Sequence, residues 1–420
     1  MVEEDSRLRA PTLSEVLRAP SVALYLISAF ATSAGTYLQV AALGKQVYDI
    51  SGRELDIGII GLLEFAPAAL LVLVAGYVAD RFNRRKVVVI ALALEVLCSG
   101  LLFLYARNDQ TSVVPIFFIA CGFGVARAFM APATRAIPPL LAPENGLPRV
   151  VALNSATWNT ALIVGPAASG MLYAVGPEWP YFASMILVSF GLVSLGLVKF
   201  RRQQDQSVAK QRVSFSTAFE GLRFIRRTPI LFAAISLDLF AVLFGGAIAL
   251  LPVIAEERLG VGEVAYGWLR ASAGIGAMLT GLVLVVLPVK RRIGRTLYVA
   301  VATFGVATIV LGLTRSYVVA FIAMLVLSGA DMVSVFIRAS LVPLVTPDEA
   351  RGRVNAVENV FIGASNELGA FESGAVSHFA GVPFTVVGGG VATIAVVGAF
   401  WFMFPVLRKI DRFEDIETQV

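Results

Sequence analysis

The chain has 420 residues, of which 57% are hydrophobic and 15% charged, with a mean hydropathy of +0.80. That composition excludes a soluble globular protein and leaves room for about 12 spans of about 20 residues each. Net charge +5 is no argument for a nucleic-acid partner, because basic residues have a use at a membrane face. Cys98 and Cys121 lie inside apolar runs, where no disulfide framework is expected, and read as packing residues.

A mixed-charge tail ends at Arg18. The first apolar run, 21–44, is uncharged, too long for a signal-peptide core and followed by no obvious cleavage site, so it is expected to remain as span one. The following spans are predicted at 57–79, 87–106, 113–131, 151–175, 180–198, 230–255, 264–289, 296–314, 317–337, 354–381 and 384–407. With the amino terminus inside, only Lys45, Arg53, Arg107, Arg258 and Arg315 fall on or near the outer side. Most other Lys and Arg residues then lie in the tails or in the loops after even-numbered spans, which predicts a multi-pass protein of the plasma (inner) membrane with both termini cytoplasmic.

The longest loop divides the spans six and six. The expected organisation is a tail and six-helix bundle over 1–199, a cytoplasmic linker over 200–228, and a second six-helix bundle and tail over 229–420. Within the linker, Phe215, Phe219, Leu222 and Ile225 recur at helical spacing beside Arg223, Arg226 and Arg227, the pattern of an interfacial amphipathic helix. A solvated linker is the alternative.

The halves match one another. Arg18-Ala19-Pro20 precedes span one and Arg227-Thr228-Pro229 precedes span seven, an offset of 209. Gly61-Leu62-Leu63-Glu64 in span two answers Gly267-Trp268-Leu269-Arg270 in span eight at an offset of 206, and the proline-led segments starting at Pro139 and Pro343 differ by 204. Parallel repeats of this kind place a substrate site at their interface near the midplane.

The loop GYVADRFNRRK, with Gly76, Asp80, Arg81, Arg84 and Arg85, resembles the motif between spans two and three of the major facilitator superfamily. PATRAIPPL from Pro132 and RGRVNAVENVFIGASNELGAFESG from Arg351 resemble its drug:proton antiporter branch, which includes enterobactin and macrolide exporters. The resemblance implies an all-α membrane protein with twelve transmembrane helices in two pseudo-symmetric six-helix bundles. It also implies a cytoplasmic latch, in which Asp80 accepts from the free amides at the start of span eleven, near Val354. A helix dipole favours an anion at that position. The alternative is that the arginines only fix topology. The second repeat has Val286 where an acid would stand, so any latch is one-sided. Gly165-Pro166 with Ser169-Gly170 partly resembles the family's antiporter motif, with Ala161 and Ser169 departing from it. In physical terms this is a helix kink with room for a close neighbour.

Charges inside spans are costly, and Glu64, Glu95, Arg127, Asp238, Arg270, Asp331, Glu358, Glu367 and Glu372 are too many to be accidents. Arg127, Asp238 and Asp331 fall about 6 to 8 Å to the cytoplasmic side of their span centres. In the resembled fold their spans line the central cavity. The expectation is a cross-cavity pair of Arg127 with Asp331, and a coupling proton on Asp238 or Asp331, since desolvation and a movable arginine act oppositely on a carboxylate. A permanent salt bridge is the alternative. Glu64, Arg270 and Glu372 fall about 6 to 9 Å to the outer side and are read as an outer gate, although packing of Glu64 on span eleven is equally open. Glu95 has no obvious partner. On span eleven, Glu358, Ser365, Gly369 and Glu372 share one face and Glu367, Gly374 and His378 the other. His378 could titrate near neutral pH or have no role.

Tyr25, Phe30, Tyr37, Phe240, Phe244 and Glu367 are candidate cavity residues suited to an amphipathic or aromatic ligand, though such aromatics are also ordinary core or lipid-facing residues. The function expected is proton-coupled export of a small amphipathic organic molecule by alternating access. The partners are a small-molecule substrate, protons and the lipid bilayer, acting on a monomer with no cofactor, no resident metal and no enzymatic activity. The rival is a divalent metal exporter using intramembrane carboxylates, weakened by the single histidine and the lack of a His or Cys cluster. No phosphate-binding loop suggests an ATP-driven pump.

Overall fold

The computed structural model describes residues 12–108, 111–135, 137–143, 145–199 and 215–416, and the regular structure among them is helical. Twelve long helices stand out among the described residues. They are α1 (Pro20–Ser51), α2 (Glu54–Arg81), α3 (Arg84–Ala106), α4 (Val114–Arg135), α5 (Leu147–Tyr173), α6 (Trp179–Leu197), α7 (Pro229–Phe244), α8 (Glu263–Val286), α9 (Ile293–Leu313), α10 (Tyr317–Val345), α11 (Asp348–Ala380) and α12 (Val382–Met403). Nine candidate spans among the described residues are long and apolar enough to cross a membrane by length and composition. The helix α11 carries Glu358, Glu367, Glu372 and His378 and is not among those nine.

Local chemistry sets the ends. Thr12 closes a capping box with Glu15 ahead of the short helix Leu13–Arg18. Asn83 caps α3 by accepting from the amides of Arg85 and Lys86. Prolines open α1 and α7, where their fixed φ suits the first turn and the missing N–H is not needed; these are the repeat-related Pro20 and Pro229. After Phe244 the seventh span runs on through a 3-10 turn at Gly246–Leu250 and a π turn at Ile254–Arg258.

Two predicted ends move for electrostatic reasons. Span one was expected to stop at Gly44, but α1 continues to Ser51, carrying Lys45 inside the helix, where it pairs with Asp49 one turn on. Span ten was expected to stop at Ile337, but α10 continues to Val345 and buries Arg338. In each case the charge is accepted because it has an acid partner.

Contacts divide the chain into two compact units: 1–43 with 66–213, and 44–65 with 214–420. In the first, a core of Val22, Leu26, Val88, Leu92, Ile137 and Val188 joins α1, α3 and α6 to the segment after α4. In the second, one core around Leu231, Leu237, Leu297, Val301, Leu341 and Val354 joins α7, α9, α10 and α11. Another core takes Tyr48 and Ile57, at the hairpin of α1 and α2, together with Leu250, Ile254, Leu269 and Met324. The hairpin is held closely. A Cβ at Gly374 of α11 would lie 2.7 Å from the Glu54 carbonyl and 3.0 Å from the Gly58 Cα, so small residues are required where these backbones meet. The helix Phe215–Arg227 forms in the linker, buries Ile225, and is tied to α11 by Arg353 and Glu220 at 2.6 Å. The side chains of Phe215 and Phe219 lie outside the described residues.

Candidate transport site

In the second unit a buried charge network joins α7, α10 and α11. Asp238 receives Arg338 at 2.7 Å, and Arg338 reaches Glu358 at 3.7 Å; the Arg338 side chain is 4% exposed and that of Asp238 8%. Ser334 donates to Asp238 at 3.3 Å and accepts from Arg338 at 3.4 Å. Asp331 lines the same narrow crevice as Asp238 and Ser334. Asp331, Ser334 and Arg338 follow one another by three and four residues, so one helix face of α10 presents all three. Arg338 is the member that sequence reasoning missed, because the predicted span ended one residue short of it.

In the first unit, Arg127 lines a cavity of about 410 Å³ with Tyr25, Thr32, Asn154 and Trp158. Tyr37 meets Trp158 edge-on at 5.8 Å, and Phe30 is half-buried on the same helix. Arg127 belongs to this unit and Asp331 to the other. Glu95, for which no partner was evident, is 1% exposed and accepts from Thr36 at 2.5 Å beside a buried cluster of Gln39, Ser99 and Ser184.

Phe240 and Phe244 stack at 6.4 Å, and Phe240 also meets Phe400 edge-on at 6.2 Å. Of the outer-side residues, Glu64 is buried, Arg270 donates to the Tyr266 hydroxyl at 3.2 Å, and Glu372 accepts from Ser373 at 3.5 Å. More charge gathers at the hairpin end than sequence reasoning placed there. Lys45 bridges Asp49 and Glu256, the latter at 2.8 Å; Tyr48 donates to Glu257; and His378 lies 3.8 Å from Glu54. The two faces of α11 have different neighbours. Glu358 and Gly369 turn toward α10 and α7, whereas Glu367 and Gly374 meet Gly61 and Gly58 of α2.

The family model of transmembrane secretion effectors matches residues 12–419. The chain belongs to this family of the major facilitator superfamily. The multidrug efflux pump Tap of Mycolicibacterium fortuitum is 25% identical to this facilitator over 410 residues, 92% of this chain and 96% of that protein. Macrolide efflux protein A of Streptococcus pyogenes is 23% identical over 239 residues, 56% of this chain and 58% of that protein. Among solved structures, a bacterial homologue of the human lysosomal transporter Spinster shares the fold, with TM-score 0.69, 15% identity, and 96% and 99% of the two chains covered. A D-xylose-proton symporter does so with TM-score 0.70, 14% identity, and 92% and 98% covered.

In this facilitator the last turn of α2 places Arg81 over the Tyr77 ring at 5.6 Å, with a hydrogen bond to the Tyr77 hydroxyl, while Arg84 and Arg85 open α3 behind Asn83. Gly76 lies within α2. The side chain of Asp80 lies outside the described residues. The helix α5 runs through the buried pair Gly165 and Pro166; a Cβ at Gly165 would lie 2.7 Å from Tyr37 Cβ and 3.0 Å from the Ala34 carbonyl. The small residue is what lets α5 lie against α1. Among the described residues no three His, Cys, Asp or Glu side chains gather as a metal site, which leaves the metal-exporter reading without structural support.

Proposed function

We propose that this facilitator exports a small amphipathic organic molecule of drug or siderophore type in exchange for protons, by alternating access and as a monomer. It works in the plasma membrane with both termini cytoplasmic. The observation that carries this reading is the Asp238–Arg338–Glu358 network with Asp331 in the same crevice. Three carboxyls around one guanidinium exceed the charge that apolar surroundings tolerate, so the group has room for a bound proton. A shift of Arg338 between its acids changes which of them holds that proton. The substrate is assigned to the cavity of the first unit, where Tyr25 and Trp158 offer flat apolar faces and Arg127, Thr32 and Asn154 offer polar contacts. The efflux function in the names of Tap and macrolide efflux protein A supports export.

Glu64, Arg270 and Glu372 remain the proposed outer gate, and Gly76, Asp80, Arg81, Arg84 and Arg85 the proposed cytoplasmic latch. The test is proton flux in liposomes carrying an internal pH dye, challenged with macrolides, aromatic siderophores, lipophilic cations and divalent metals. Wild type is expected to move protons with an organic substrate, and Asp238→Asn or Asp331→Asn to lose most of that flux. Unchanged flux in both variants would remove the proton site and leave the network as architecture. Flux driven by metals alone would overturn the substrate class.

A further inference from the structure

Where α9 begins and α12 ends, the second unit carries a cavity of about 510 Å³ that the proposed transport chemistry does not use. Its lining includes Arg292, Arg295, Arg408, Lys409, Trp401 and Asp411, four cations against one acid. The cradle is built before any ligand arrives. The segment after α12 returns to the start of α9, where the amides of Ile293 and Gly294 donate to the carbonyls of Asp411 at 3.3 Å and Ile410 at 3.1 Å. Arg292 sits in the left-handed region with φ 56°, and its amide donates to the Asp411 carboxylate at 3.1 Å.

That bond, ahead of Arg291, holds the Asp411 carboxyl below the usual carboxylate range. Its charge is answered by Arg291 at 3.4 Å and Arg412 at 3.9 Å, which leaves the four lining cations in excess. Arg408 lies 5.5 Å above the Trp401 ring, and Tyr298 meets the same ring edge-on at 5.2 Å, so the indole is fixed in place. Arg292, Arg295 and Lys409 are exposed, while the neighbouring Phe402, Met403 and Val406 present exposed apolar surface. Cations, an indole and bare apolar side chains at the end of a spanning helix match an amphiphile with an anionic head at the membrane boundary.

We infer that this cavity binds the phosphate headgroup of an acidic membrane lipid, with Arg292, Arg295, Arg408 and Lys409 around the phosphate and the acyl chains along Phe402, Met403 and Val406. The volume falls within the range of small-molecule sites. The inference needs only a membrane-spanning chain and stands apart from substrate, coupling ion and direction.

The test is native mass spectrometry of the full-length protein in a neutral detergent, titrated with phosphatidylglycerol or phosphatidylcholine. Phosphatidylglycerol should be retained preferentially. Arg295→Gln with Lys409→Gln should lower its retention about tenfold or more while leaving the lipid-free melting temperature unchanged. Wild-type retention should also fall as salt is raised, a readout that does not depend on the variant folding. Equal retention of the two lipids, undiminished retention by the double variant, or affinity indifferent to salt would each overturn the assignment. Inorganic phosphate that displaces phosphatidylglycerol and leaves phosphatidylcholine in place supports the phosphate as the recognised group. Phosphate binding without any preference for phosphatidylglycerol overturns the lipid.

Discussion

Arg338 holds two acids from two other helices, and its own helix supplies Ser334 as an intermediary. A buried ion pair adds little net stability, but removing one partner leaves a charge stranded. Arg338→Gln should therefore lower stability by about 3–5 kcal/mol, read as an earlier melting transition in detergent. Adding Asp238→Asn to that variant should recover much of the loss, because the stranded carboxylate is gone. If Arg338→Gln melts with wild type, Asp238 does not depend on it. Asp238 and Asp331 were legible in the sequence because charges stand out in apolar runs. Arg338 was hidden by its place at the edge of the run, although its spacing from Asp331 and Ser334 carried the signal.

At the scale of elements, the meeting of α1 and α5 depends on one missing side chain. Even a methyl group at Gly165 would press on Tyr37 and the Ala34 carbonyl, so Gly165→Leu must part the helices. Overpacking of this kind costs about 1–3 kcal/mol. The variant should insert and fold yet lose substrate transport, since Tyr37 contacts Trp158 of the cavity wall. Gly165→Ala should show the same change more weakly. Transport at the wild-type rate in Gly165→Leu would mean that this contact does not shape the cavity. The Gly-Pro pair was visible in the sequence, and the helix it touches was not.

At the scale of the molecule, the six-and-six repeat and the compact units cut the chain differently, because residues 44–65 group with the second half. Lys45–Glu256, Tyr48–Glu257 and the packing of Gly58 and Gly61 against α11 hold that hairpin. In the proposed alternating-access cycle the hairpin contacts are exchanged for others. Lys45→Cys with Glu256→Cys, in a background lacking Cys98 and Cys121, should form a cross-link that arrests transport until it is reduced. Full transport in the oxidised protein would show that these contacts persist throughout the cycle.

Apolar runs in the sequence anticipated the twelve long helices among the described residues, nine of them apolar enough to span by composition, and charge, proline and glycine placed most of their ends, because a span must satisfy its backbone within itself. The loop motif made the superfamily readable from residues close together in the chain, and the matched halves did so from a pattern repeated along it. The partners of buried charges were decided only in the tertiary structure. Asp238 meets Arg338 across a hundred residues and Lys45 meets Glu256 across more than two hundred, distances over which no local pattern reports. The same holds for the basic cavity around Trp401. Its cations come from two helix ends that only the folded chain brings to one place, and the charge of each taken alone reads as topology.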